Sequence, residues 1–378
     1  MTLDSPLTLD LHLKGTVRAR DPSETLKIIQ PYIQKAGITR LANLTHLDCL
    51  GIPVFTCIRP LSKNLSTSQG KGITDDLAKC SAYMEAIEHF FSENIQADLI
   101  SPMDQIPESS RVDLDLLSKG LIHSDQVNPY QTYITHWTLC ESLLGEKSLY
   151  FPTEYFSFNL TQPCLENSLF KKTTTGLASG NNLIEASVHA LYECVERHMS
   201  FLFSKLSHAE KMARILNPDS INYPEAQDLI KKLKNHHIDC VIFDTTQNLN
   251  IPTFHVIIAD DNPFRKLGHY SGTGTHLHAG IALCRALTEA VQSRLTYIAG
   301  SRDDMFPKDY KTQWGALKFS GTYLFKLDPE KTYLSLQEQY DFLLNTLKNH
   351  AFHPYRHIHT QASDLITVLK IMIPGMAL

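Results

Sequence analysis

Three stretches of this sequence carry acidic residues at one spacing. They run from Ala78 to Glu88, from Ala186 to Glu196 and from Ala282 to Gln292, and they align without a gap. Each begins with Ala and meets a polar residue three places on (Ser81, His189 or Arg285). A second Ala follows at once (Ala82, Ala190, Ala286), and Glu comes next at offset seven (Glu85, Glu193, Glu289). Each closes at offset ten with Glu88, Glu196 or Gln292. Carboxylates one helical turn apart suit a hard divalent cation, and Mg2+ takes few protein carboxylates, completing its shell with phosphate and water. Glu85, Glu88, Glu193 and Glu196 are therefore the candidate metal ligands, and Glu185 adds a carboxylate at the mouth of the second stretch. Lys71, Arg197 and Arg285 supply positive charge for phosphate oxygens, arginine with bidentate geometry. An acidic pair on a single helix is usually just a solvated face. Three copies in register, each behind glycines, weigh instead for a shared ligand site.

Those residues need helices to hold them. The three stretches contain strong helix formers and no internal proline or glycine. Offsets zero, three, seven and ten return to one helical face. On that face the small alanines admit close approach of another element or a ligand. Upstream lie Gly70 and Gly72, Gly176 and Gly180, and Gly272 and Gly274. These read as glycine loops whose backbone N–H groups face anions at helix N-termini. Before the loops come strand pairs rich in apolar and β-branched residues: 38–45 with 52–58, 133–144 with 148–158, and 238–243 with 251–259. Two of the second strands open on Ile-Pro-x-Phe, at Ile52 and at Ile251. Each unit thus reads as hairpin, glycine loop, helix, an α+β (mixed α/β) arrangement of antiparallel hairpins packed on three pattern-repeated helices. Further helices are expected over 23–36, 223–236 and 334–350, and strands over 353–359 and 365–374.

The bulk properties narrow the function. Net charge is −5 over 378 residues, so no general basic field attracts nucleic acid or an anionic membrane. Met1 to Leu13 shows no secretory pattern, and no stretch approaches a membrane span. The eight cysteines are scattered without a C-x-x-C pair and read as free, mostly buried thiols of a reducing, cytoplasmic compartment. Lys71 is followed by Gly72, so Gly70-Lys71-Gly72 is no Walker A loop. The histidines at 276 and 278, and at 350, 353, 357 and 359, lack the partners of a zinc site and read as core, capping or surface residues.

Several motifs together resemble the YcaO family. They are Gly37 to Arg40, Leu47-Asp48 with Gly51 to Val54, Arg59-Pro60, and Gly70-Lys71-Gly72. Ser81, Glu85 and Glu88 follow, then Thr175-Gly176 to Gly180 with Glu185-Ala186, and His189-Ala190 with Glu193, Glu196 and Arg197. Arg285 to Arg294 and Gly300 to Asp304 complete the set. The resemblance implies one YcaO-type domain over residues 1–378. Its motif-bearing core would lie at about 30–305 and a helix-and-strand tail at about 331–378. It implies ATP and Mg2+ as cofactors. Lys71, Ser81, Glu85, Glu88, Glu185, Glu193, Glu196, Arg197, Arg285, Glu289 and Gln292 would then form the ATP site. The chemistry implied is activation of a peptide-backbone amide by phosphorylation of its oxygen, giving an azoline or a thioamide, with no covalent protein nucleophile. The ending Ile373-Pro374-Gly375 lacks the proline-rich C-terminus of azoline-forming members and is closer to the thioamide branch that works with a TfuA-like partner. A peptide or protein substrate, a separate peptide-recognition partner and a homodimer are further expectations. The alternative is an accessory member that assists another modifying enzyme, such as one methylthiolating a ribosomal protein.

Overall fold

The computed structural model describes residues 10–13, 15–113, 115–117, 134–161, 172–260, 268–305, 321–328 and 334–377. In chain order the elements begin with β1 (Leu11–Leu13), β2 (Thr16–Arg18), α1 (Pro22–Ile28), α2 (Gln30–Lys35), β3 (Arg40–Asn43), β4 (Val54–Ile58) and β5 (Thr67–Lys71). Then come α3 (Asp75–Ser92), β6 (Leu99–Pro102), β7 (Ile134–Ser142), β8 (Leu149–Pro152), β9 (Leu177–Gly180) and α4 (Leu183–Ser204). Next are α5 (His208–Met212), α6 (Pro224–Asn235), β10 (Ile238–Asp244), β11 (Thr253–Asp260), β12 (His269–Thr275) and α7 (Ala279–Ala299). The chain closes with α8 (Leu336–Asn349), β13 (Tyr355–Ile358) and β14 (Thr367–Met372). Two compact units result. The first comprises Met1–Pro60, Leu65–Ala86 and Met199–Leu336; the second comprises Leu61–Asn64, Ile87–His198 and Gln337–Leu378. The divisions fall inside α3 and α4 and at the start of α8.

The first unit repeats one module. Antiparallel β3-β4-β5 leads into α3, and antiparallel β10-β11-β12 leads into α7. The register repeats as well: Phe55 of one Ile-Pro-x-Phe lies opposite Gly70, and Phe254 of the other lies opposite Gly274. Gly72 follows β5 and Gly176 lies in a turn before β9, but Gly70, Gly180, Gly272 and Gly274 are therefore strand residues, not loops, which corrects the expectation of anion-facing glycine loops. Their reason is steric. A Cβ on Gly70 would lie 2.0 Å from the Ala82 nitrogen and 2.2 Å from the Ala78 oxygen. One on Gly274 would lie 2.2 Å from the Ala282 oxygen. The repeated alanines thus admit a strand backbone, and Ala78, Ala82, Ala282 and Ala286 are wholly buried. On α7, Leu283, Leu287, Val291 and Leu295 join Val256, Ile258, Leu229 and Leu233 in one core. Arg294, 1% exposed, donates to Asp48 at 2.7 and 3.2 Å and to Asp260.

In the second unit the sheet order is β6-β7-β13-β14-β9, with β8 paired to β7. The middle block therefore departs from its counterparts: β9 pairs with β14, not with the β7–β8 hairpin. Trp137, Phe151, Tyr155, Phe156 and Tyr355 form its core. Glu93 is buried and accepts from Ser62 Oγ, Lys63 N and Asn64 Nδ2. After β14 the chain turns at Gly375, whose φ of +86° suits glycine, and Ile373, Met376 and Ala377 are buried.

The helix expected over 23–36 is two helices meeting at Ile29, with Pro31 in the first turn of α2. Proline has no N–H to continue the ladder. Helices α6 and α8 fall within the expected ranges, α3, α4 and α7 extend beyond the three acidic stretches at both ends, and α5 was not expected. The seven described cysteines are free; Cys49 is exposed, Cys80 and Cys240 are half-buried and the other four are buried. Cys164 and most of Met1 to Leu13 lie outside the described residues. No helix among the described residues is long and apolar enough to cross a membrane.

Candidate functional site

The candidate residues fall in both units. In the first, Lys71 ends β5 and its Nζ stands 2.6 Å from Glu289 Oε2 of α7, the two side chains 23% and 28% exposed. Glu289 Oε1 also accepts from Thr273 N and Oγ1 of β12, each at 3.4 Å. One turn on, Gln292 Nε2 donates to the Gln69 carbonyl at 2.7 Å. The third acidic stretch thus ties α7 to β5 across the two modules. Ser81 and Glu85 lie half-buried on α3, and Arg285 lies half-buried on α7. Arg302 is held by Asp304 at 2.9 and 2.6 Å and is stabilised in its charged form by that pair, with help from Glu85. His278 caps α7 by accepting from Ile281 N at 3.2 Å, and His276 accepts from His278 N at 2.9 Å. Burial, then the Arg285 charge, drives His276 well below its ordinary value. These two histidines therefore serve as capping and core residues.

In the second unit, Glu88 of α3 accepts from Ser179 N at 2.9 Å and Ser179 Oγ at 2.6 Å, on β9. Glu185 is 5% exposed and accepts from Asn181 N and Nδ2 at 3.2 and 3.0 Å, while its own N–H donates to Asn182 Oδ1 at 2.8 Å. These bonds close the N-terminus of α4 much as a capping box does. Glu185 therefore has a structural duty that its acidity alone did not reveal.

Glu193 and Glu196 sit one turn apart further along α4. Glu196 is 5% exposed, and Glu193 lies behind Arg197, whose guanidinium is 3.7 Å away. Burial pushes the Glu193 carboxyl up to about 7; Arg197 opposes that shift, Glu196 adds to it, and Lys370 and the Gly176 N–H oppose it. Lys370 of β14 is 1% exposed, and burial draws its ammonium down to about 8 against the field of Glu193. The neighbouring His198 accepts from Ala377 N at 3.4 Å and packs edge-on to Phe352, so it anchors the chain's last residues.

Among the described residues no three His, Cys, Asp or Glu side chains converge as a ready metal cage. The donor set is instead hard carboxylate oxygen. On α4 stand Glu193, 22% exposed, and Glu196, 5% exposed, whose joint ionisation is disfavoured by burial and by mutual repulsion. A divalent cation relieves that cost, and Mg2+ needs only one or two protein carboxylates when phosphate completes its shell. Each unit also carries candidate cations for phosphate, Lys71 and Arg285 in the first and Arg197 in the second. The residues present fit Mg2+ with a polyphosphate. Two cations that spacing did not single out also act on the acidic residues: Lys370 on Glu193 and Arg302 on Glu85.

The family model described as YcaO cyclodehydratase, ATP- and Mg2+-binding, matches residues 69–377. Two uncharacterised Mycobacterium tuberculosis proteins are 34% identical over 297 residues, 78% of this chain; the match spans 65% of their own length. An uncharacterised protein of the tfuA 3' region of Rhizobium leguminosarum is 33% identical over 303 residues, 78% of this chain and 70% of its own. Among solved structures, YcaO from Methanopyrus kandleri bound with AMPPCP and Mg2+ aligns with TM-score 0.74 at 18% identity, covering 97% of this chain and 95% of that one. That likeness extends to the mixed α/β fold with its antiparallel sheets.

Proposed function

We propose that this chain, which belongs to the YcaO family of ATP- and Mg2+-binding cyclodehydratase-type proteins, activates peptide-backbone amides by phosphorylating the amide oxygen. The products would be thioamides or azolines in a peptide or protein, with thioamides favoured, and the whole chain would act as one YcaO module. The observation that carries the reading is the Glu193–Glu196 pair of α4, one turn apart, where burial and the Glu196 charge push the Glu193 carboxyl up and Arg197 stands 3.7 Å away. Glu85, Glu88, Glu193 and Glu196 would ligate Mg2+. Lys71, Ser81, Glu185, Arg197, Arg285, Glu289 and Gln292 would bind or orient the nucleotide. When bound, MgATP supplies the phosphoryl group that makes the amide oxygen a leaving group once a nucleophile has added to the carbonyl.

The chain's own residues then position and neutralise, the two tasks that dominate phosphoryl transfer. Lys71, paired with Glu289, and Arg197, 46% exposed beside Glu193, would neutralise phosphate oxygens. Serine 179 and Asn181 hold Glu88 and Glu185 against the β9 end of the sheet. Thioamide formation is favoured by the rhizobial relative's place in a tfuA region, which also points to a TfuA-like partner.

Mass spectrometry tests the reading. The protein is incubated with MgATP, sulfide and candidate precursor peptides, with and without a TfuA-like protein. Exchange of oxygen for sulfur in the peptide gives the thioamide, and loss of water gives the azoline. ATP binding with an unaltered peptide in every combination contradicts the enzyme reading and favours the accessory one.

A further inference from the structure

A cavity of about 690 Å3 lies within the first unit, and none of the candidate nucleotide residues lines it. One wall is α5 and the segment after it, with Glu210 and Arg214. A second is the turn from β10 to β11, with Asp244, Gln247 and Asn250, and Tyr323 comes from a third segment. Main-chain bonds fix these walls to one another. Ile215 bridges Phe243 of β10, and Leu216 bridges Tyr323. Asp244 N donates to the Arg214 carbonyl at 3.0 Å, and Asn217 N donates to the Tyr323 carbonyl at 2.8 Å. Within the turn, Asn250 N donates to the Gln247 carbonyl at 3.0 Å, and Asn250 takes a φ of +52°, which asparagine tolerates better than most residues.

Two polar groups of this cavity are short of partners. Asp244 is half-buried; its Oδ1 accepts from Thr246 N at 2.9 Å, and it has no ion pair among the described residues. Arg214, which also lines the cavity, gives its Nη1 to the Thr246 carbonyl at 2.7 Å instead. Burial holds the Asp244 carboxyl above its ordinary value, against the Thr246 bonds and the charges of Arg214 and Lys326. Glu210, the other carboxylate of the lining, is exposed and already accepts from Ser207 N and Oγ in the capping box of α5. Gln247 Nε2 is buried and has no hydrogen-bond partner among the described residues. Buried donors and buried charges are normally matched. A turn carrying carboxamides is usually just solvated, but solvation does not account for a carboxylate and an amide donor left short of partners on one cavity.

We propose that this cavity is a docking site for a basic residue of a polypeptide, whose ammonium or guanidinium group pairs with Asp244 while a main-chain carbonyl accepts from Gln247. A free amine satisfies only the first group and a neutral peptide only the second, so the two together specify the class. Arginine suits the carboxylate, because its planar fork offers paired donors. Under the function proposed above, the cavity would hold a peptide substrate by a residue other than the one being modified. The docking itself does not depend on that function, and its test reads binding alone.

The test is calorimetry at pH 7 on the full chain with acetyl-Gly-Arg-Gly-amide, the same peptide with citrulline for arginine, and butylguanidine. Citrulline keeps the shape without the charge; butylguanidine keeps the charge without the peptide groups. The parent should bind the arginine peptide roughly tenfold tighter than either comparison probe, the order of one hydrogen bond to a charged group. Asp244→Asn keeps an acceptor for Thr246 N and removes the charge. It should bring the arginine peptide to the citrulline level and leave the citrulline peptide unchanged. Gln247→Ala should weaken both peptides and leave butylguanidine unchanged. MgATP should keep its parental affinity in both variants, which separates failure here from failure of the nucleotide site. The proposal is overturned by no saturable isotherm for the arginine peptide, by equal affinity of the parent for the arginine and citrulline peptides, or by parental affinity for the arginine peptide in Asp244→Asn. The comparison of peptides on the parent needs no variant, so a poorly folded Asp244→Asn leaves the test intact.

Discussion

Replacing Glu193 by glutamine should make the ligand-free protein more stable while it removes a proposed Mg2+ ligand. In the folded chain this carboxyl titrates near 7, against an ordinary value of 4.5, because burial penalises its charge and Glu196 repels it. The folded state therefore holds the proton more tightly than the unfolded state does. The stability that this group contributes is complete below the ordinary glutamate value and is lost as pH rises through about 7. At 1.36 kcal/mol per pH unit, the deficit above neutrality is roughly 3 kcal/mol. That is an upper figure, because the side chain remains 22% exposed. Glutamine keeps the shape without the charge. Ligand-free Glu193→Gln should gain about 1–3 kcal/mol over the parent near pH 8, shrinking to about 1 kcal/mol or less near pH 5. Urea unfolding at both pH values, with chelator present, measures it. A variant no more stable than the parent at pH 8, or a gain that does not change with pH, refutes the reasoning. A natural residue that destabilises its own fold is explained if it is kept for a ligand.

Other perturbations follow from the same contacts. Gly70→Ala forces a Cβ to within 2.0 Å of the Ala82 nitrogen, so β5 and α3 must separate; a loss of about 1–3 kcal/mol is expected, read as a lower urea midpoint. Asp260→Ala leaves the Arg294 guanidinium buried with only Asp48 as carboxylate partner; about 3–5 kcal/mol should be lost in the same assay. Lys71→Met breaks an ion pair whose partners are about a quarter exposed. It should shift stability by less than about 1 kcal/mol yet weaken MgATP roughly tenfold by calorimetry.

Much of this architecture is legible in the sequence because helix formers and spacing coincide. The three acidic stretches lie on α3, α4 and α7, and Ile-Pro-x-Phe marks matching strands in two modules. The glycines were misread because a sequence gives no depth: Gly70 and Gly274 are needed where a strand presses on an alanine helix, a demand that composition cannot separate from a turn. Glu185 and Gln292, candidate nucleotide-binding residues by position, also have structural contacts that spacing does not show: one closes a helix end and the other ties α7 to β5. Lys370 gave no signal at all. A single lysine in Thr367–Met372 is expected to point at solvent, and only the pairing of β14 with both β13 and β9 buries it. The identity of His198 acquires a reason in the same way, through the Ala377 N–H that comes back to it from the end of the chain.

The central claim is that the paired glutamates of α3 and α4 hold MgATP. Calorimetric titration of MgATP into the parent chain, Glu85→Ala and Glu193→Ala, each confirmed as folded by its urea transition, tests it most directly. The account predicts a saturable isotherm for the parent and none for either variant. Full parental affinity in both variants would contradict it.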